Sequence, residues 1–154
     1  MTQRIASPCV GLCSTTVGDR VCRGCQRNDD EIRDWFAYSD AERCSRMSEL
    51  DALRAKVADE YLRVNDAPML QAQLERHRIR FRDDQSPLSR AVELLRVGRS
   101  RIRDLARYGL QSHGKGKGLS ADELHEAIMK ALLERGEARR LAPGQLTQHD
   151  ERHA

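Results

Sequence analysis

The sequence predicts a mostly α protein: a small N-terminal four-cysteine metal knuckle with a short hairpin, then a helical body containing one long helix. Three observations lead there. Four cysteines fall within residues 9–25, apolar residues recur at steps of three and four along most of the remaining chain, and aromatics make up only 4 % of it. So few aromatics are thin for a β-sandwich or barrel, whereas Leu, Ala, Val and Ile suffice to pack helices. At 154 residues the chain has room for one domain, or one domain with an appendage. The pattern divides it into a metal-binding knuckle with a short helix over 1–38, a helical region over 39–142 and a flexible tail over 143–154.

The knuckle comes first. Cys9, Cys13, Cys22 and Cys25 form C-x3-C-x8-C-x2-C, and the fifth cysteine, Cys44, stands apart. Two thiolates three or four residues apart can reach one ion from a single tight turn, so assembling the site costs little entropy. Gly11 and Gly24 lie inside the two pairs, where positive φ would let backbone N–H groups point back at the sulfurs. Between the pairs, Ser14–Val21 reads as a very short hairpin turning at Gly18-Asp19. A reducing cytoplasm, the compartment expected for a chain with no apolar secretory core at its N-terminus, disfavours two disulfides and favours metal.

The cofactor is Zn²⁺ or an iron–sulfur cluster. Structural zinc is the commonest occupant of two short Cys pairs joined by a hairpin. Iron–sulfur clusters also take four thiolates, with more varied spacings. Charge does not separate them, since each leaves −2 at the site, and Arg20, Arg23 and Arg27 could offset it in every case. A closed cage favours a structural role over Lewis-acid catalysis, which needs an open position. Cys44 reads as a thiol on a helix, with a reserve ligand or redox partner as the sharper alternative.

Pro8-Cys9-Val10-Gly11-Leu12-Cys13, Val21-Cys22-Arg23-Gly24-Cys25-Gln26-Arg27, Glu31-Ile32 and Trp35 resemble the bacterial domain-of-unknown-function 1289 family. Its members are described as small predicted iron–sulfur proteins. The resemblance spans about residues 5–55, and beyond it the chain is similar to the longer members in pseudomonads. It implies that Cys9, Cys13, Cys22 and Cys25 are the ligands, and it supplies no reaction.

Helices account for the rest. Asp29–Phe36 reads as a short helix with acids in its first turn; Ile32 and Trp35 would share a face, with Trp35 first an ordinary core aromatic and, compatibly, a lid on the knuckle. Ser39 and Glu42 form a capping box. Met47, Leu50, Leu53, Val57, Tyr61 and Val64 then predict one helix over about 40–65. Pro68 restarts the chain into a second helix through Leu70 and Leu74, closed by an Arg-rich segment over 76–82. Ser86 and Pro87 open a third stretch running to Gly98, and a fourth holds Ile102, Leu105 and Tyr108 before Gly109, either as two helices or as one kinked at Gly98. Gln111–Gly118 reads as a flexible loop whose spacing matches no phosphate cradle. Ser120 and Glu123 cap a last helix ending near Gly136.

Charge is unevenly spread. Residues 1–60 carry −2, residues 61–118 carry +7 and residues 119–154 carry −2. Arg99, Arg101 and Arg103 in the basic middle are the candidate nucleic-acid contacts, and Val97–Arg107 has the outline of a helix-turn-helix with too few apolar residues for its core. The histidines are scattered. Only His149 and His153 have helical-pair spacing, and Asp150 stands where a zinc protease needs Glu. No catalytic constellation assembles, and no apolar run is long enough to span a membrane. The expectation is therefore a non-catalytic accessory protein that binds a protein partner. An iron–sulfur electron carrier or redox sensor, and a nucleic-acid binder, are the alternatives.

Overall fold

The structure, a computed structural model, describes residue 8 and residues 14–141. Among these, five α-helices alternate with short 3-10 turns and one two-stranded sheet: α1 Asp29–Asp34, α2 Asp40–Asp59, β1 Leu62–Val64, α3 Ala67–Arg76, α4 Pro87–Gly98, β2 Leu110–Ser112 and α5 Ala121–Leu141. The fold is mostly α, as the periodicity requires. Contacts divide the chain into two compact units, 1–50 with 132–154, and 51–131. Both divisions fall inside helices, α2 and α5.

In the first unit the expected hairpin is absent. Ser14–Val17 is a 3-10 turn, closed by Gly18 N–H to Thr15 O (3.3 Å) and Asp19 N–H to Ser14 O (3.2 Å). The reversal does fall at Gly18, whose φ of 105° suits glycine. Local bonds satisfy the backbone there, and eight residues leave little length for two strands. The pairing sits further on, as a single antiparallel bridge between Val21 and Asn28 around the second cysteine pair. The helix α1 starts with a capping box between Asn28 and Glu31. Trp35–Ala37 then tightens into a 3-10 turn. The Ser39–Glu42 box opens α2 as its sequence requires: Ser39 N–H donates to Glu42 Oε1 (3.1 Å), and Glu42 N–H to Ser39 Oγ (3.1 Å). Helix α5 runs past Gly136 to Leu141. That glycine is an approach residue rather than a terminator, because a Cβ there would lie 2.9 Å from Val21 Cγ1.

The second unit is built on aliphatic burial. Leu62, Leu70, Leu74, Leu95, Leu110 and Leu124 are all essentially inaccessible. The helix expected to reach about 65 stops at Asp59, because Leu62–Val64 pairs antiparallel with Leu110–Ser112, Leu62 opposite Ser112. The expected loop over 111–118 thus begins as strand at Gln111-Ser112, and Gly114–Gly116 continues as a 3-10 turn. Its glycines allow close backbone approach: a Cβ at Gly116 would meet Tyr61 O at 2.3 Å, and one at Gly114 Glu60 O at 2.7 Å. Asp66 caps α3 by accepting from Met69 N–H (3.0 Å), and Ser86 caps α4 with Pro87 in its first turn. Residues 99–108 hold no second α-helix: an exposed turn leads into a 3-10 turn over Leu105–Tyr108, which Gly109 ends with φ 74°. The helix-turn-helix outline is therefore not realised there.

Candidate functional site

The candidate metal centre is the turn between Val21 and Asn28. Cys22 N–H donates to Arg27 O (2.9 Å) and Gln26 N–H to Cys22 O (2.8 Å), which folds the C-x2-C segment into a closed loop. The left-handed conformation in this turn falls at Gln26 (φ 66°), although the sequence placed it at Gly24. Gly24 does what the spacing requires in another way. Its N–H donates to Cys22 Sγ at 3.4 Å. A Cβ-free residue between the two cysteines keeps that amide close to the sulfur.

Both sulfur-bearing side chains are buried, Cys22 and Cys25 each 1 % exposed. Of the three arginines available by sequence, Arg27 alone points at a described sulfur: its Nε donates to Cys25 Sγ at 3.3 Å. It is buried too, with its guanidinium 5.0 Å from the Trp35 ring centre in a cation–π contact. Among the described residues it forms no ion pair with a carboxylate, and its side-chain hydrogen bond goes to the Cys25 sulfur. Arg23 is occupied by Asp19 (3.1 Å) and Arg20 lies exposed. Trp35 thus covers the site through Arg27, a more specific version of the expected lid.

A hydrogen bond from Cys25 is the main influence on Cys22; burial opposes it, backbone N–H groups assist it, and the thiol falls to about 5. The same bond, with burial, pushes Cys25 up against the pull of Arg27. Two buried sulfurs, with N–H donors on each, are a donor set suited to a thiolate-bound cation. Cys9 and Cys13 lie outside the described residues. No group of three or more His, Cys, Asp or Glu able to hold a metal occurs among the described residues.

A charged cluster in the same unit was not visible in the sequence. Glu31 is 1 % exposed and accepts from Arg139 Nη1 (2.6 Å) and Arg46 Nη1 (2.9 Å), while Asn28 N–H reaches its Oε1 (3.1 Å). Arg139 also pairs with Glu49 (3.1 Å), and Arg46 lies over the Tyr38 ring at 4.4 Å. Burial pushes the Glu31 carboxyl up, but Arg139, Asn28 N–H and Arg46 together hold it below its ordinary value. Glu31 thereby anchors the residue beside the cysteine turn, since Asn28 is both its capping partner and the end of the bridge to Val21.

The remaining candidates disperse. Cys44 lies exposed on α2. Arg99 is held by Asp122 (3.0 Å) and Arg96 O (2.9 Å), whereas Arg101 and Arg103 are exposed without ion pairs among the described residues. His113 Nε2 sits 2.7 Å from Asp59 O, His125 is half-buried with its pKa lowered by burial, and His149 and His153 lie outside the described residues. No described helix is long and apolar enough to cross a membrane.

Residues 7–54 match a family described as Protein of unknown function (DUF1289). That stretch covers the whole knuckle, α1 and the first part of α2. No curated protein and no solved structure matches the chain significantly.

Proposed function

We propose that this chain, whose residues 7–54 belong to the DUF1289 family, is a metal-binding accessory protein without catalytic activity. Cys9, Cys13, Cys22 and Cys25 would hold one metal centre, and the helical remainder would bind another macromolecule. The observation that carries the reading is the closed Cys22–Cys25 turn, with both sulfurs buried and each receiving an N–H donor, from Gly24 and from Arg27. A bound metal would neutralise the thiolates and supply folding free energy to a segment with little apolar core of its own. Zinc is the favoured occupant, because it is the commonest one for two short Cys pairs, and four thiolates leave no position open for Lewis-acid catalysis.

A second reading, an iron–sulfur electron carrier or redox sensor, is favoured by the Arg27 contact. N–H donors and positive charge beside a cluster's sulfurs set its reduction potential. Anaerobic purification without added metal, followed by zinc, iron, acid-labile sulfide and visible absorption, separates the two. One zinc per chain and a colourless protein is the expected result. Stoichiometric iron and sulfide with visible charge-transfer bands would replace the first reading with the second.

A further inference from the structure

The basic middle of the chain contains two kinds of arginine. Arg82, Arg96 and Arg99 are committed to Asp84, Glu93 and Asp122, and Arg90 to Gln71 and Asp83 O. Arg76, Arg78 and Arg107, by contrast, are exposed and make no ion pair among the described residues. The fold brings these three to one place. Gln73 Nε2 donates to Arg107 O at 3.0 Å, which ties the end of α3 to the 3-10 turn over Leu105–Tyr108. The exposed His77 ring and the half-buried Tyr108 ring then lie 6.3 Å apart at a tilt of 35°. Arg78, two residues past the end of α3, lies in the left-handed region (φ 56°), with its N–H on Glu75 O (3.1 Å) and the next N–H on Leu74 O (2.8 Å). That conformation favours glycine, so the arginine there holds a strained backbone.

Two rings with arginines around them make a platform for flat, anionic ligands. Guanidinium forks match phosphate oxygens, and exposed rings stack on bases. The acids on the same segments, Asp104 and Glu75, accept among the described residues only from Ala106 N–H (3.1 Å) and the Gln71 amide (3.4 Å), so they keep their charge and offset two of the three arginines. Arg101 and Arg103, in the exposed turn leading to the platform, add to the excess. A duplex hides its base faces and would leave the ring pair without a partner.

We propose that the His77–Tyr108 pair and the arginines beside it form a binding surface for single-stranded nucleic acid. The surface lies wholly within residues 51–131. It names a partner class that the metal reading leaves open, and it does not depend on which metal the knuckle holds.

The test is fluorescence anisotropy of the full-length protein with labelled poly-U and poly-dT of about 20 nucleotides, starting near 50 mM salt. A matching duplex, heparin and phosphatidylserine vesicles serve as competitors. Micromolar binding is expected, its logarithm falling with log salt by about 0.7 for each phosphate contacted. Arg76→Glu/Arg78→Glu/Arg107→Glu should weaken it at least about tenfold, and Arg33→Ala should leave it unchanged. His77→Ala/Tyr108→Ala should weaken oligonucleotide binding about tenfold while sparing heparin, which has no bases to stack. If the triple reversal does not fold by circular dichroism, Arg101→Glu/Arg103→Glu provides the charge arm. No binding at low salt, a preference for duplex or vesicles, or full oligonucleotide affinity in the ring variant would overturn the proposal.

Discussion

The two compact units are closed by different physics. Inside 51–131 the buried side chains are chiefly Leu, Ile, Val and Ala, so apolar burial does most of the work there. In the first unit the interior around the cysteine turn is Ser14, Gln26, Arg27, Asn28 and Glu31, with Val21 and Trp35 as its apolar company. Buried polar groups of that kind are stable only when each finds a partner, and breaking one partner costs more than the bond contributes. The difference teaches that the region around the cysteine turn depends on a network of polar partners, whereas the helical unit depends on volume. Perturbations of metal, charge and volume should therefore separate the two.

Metal removal should have the largest effect. Prolonged chelation is expected to abolish amide-exchange protection over 20–35 and to change Trp35 fluorescence, while 51–131 keeps its protection. Equal loss in both units would erase the distinction. Next comes Glu31→Gln, which leaves Arg139 and Arg46 facing a neutral amide and should destabilise the first unit by about 3 kcal/mol. Because the folded Glu31 pKa is lowered, its contribution is fully present above the unfolded value of about 4.3 and is lost as pH falls through the folded one. Denaturation of wild type and Glu31→Gln should consequently converge at acid pH; a gap independent of pH would contradict the ion-pair account.

Leu74→Ala, at a fully buried site in the second unit, should cost about 2–5 kcal/mol by opening a cavity. Metal content should stay at its wild-type level, and a fall in it would show the units to be less separable than described. Gly116→Ala should cost a further, smaller amount, about 1–3 kcal/mol, since its Cβ collides with Tyr61 O and Leu124 Cδ2. A neutral result in thermal denaturation would mean that the turn can open there. The smallest effect is expected at Ser39→Ala, which removes one exposed cap and about 1 kcal/mol, again read from thermal denaturation.

What was legible in the sequence follows the same divide. Caps made by residues three apart, Ser39 with Glu42 and Ser120 with Glu123, are local and appear where the sequence places them. Ser86 before Pro87 is another such signal. The Asn28–Glu31 box is equally local but was hidden behind Asp29 and Asp30, which read as dipole acids. The strand at Leu62–Val64 was misread as helix because its spacing continues the helical step, and only pairing with residues about fifty positions later makes it a strand. Gly136 read as a helix end because nothing near it in sequence reveals Val21 against its Cα. At the site, the cysteine spacing correctly anticipated a tight turn around Cys22 and Cys25. The singling out of Arg27 over Arg20 and Arg23 needed the fold, since all three stand equally close in the chain.

The central claim is that four thiolates hold one metal centre in the knuckle. Its most direct test is metal content per chain, by elemental analysis, in wild type and in single Cys→Ser variants at positions 9, 13, 22, 25 and 44. One centre per chain should be retained in wild type and Cys44→Ser, and lost in the other four variants. Full metal content in Cys22→Ser or Cys25→Ser would contradict the claim.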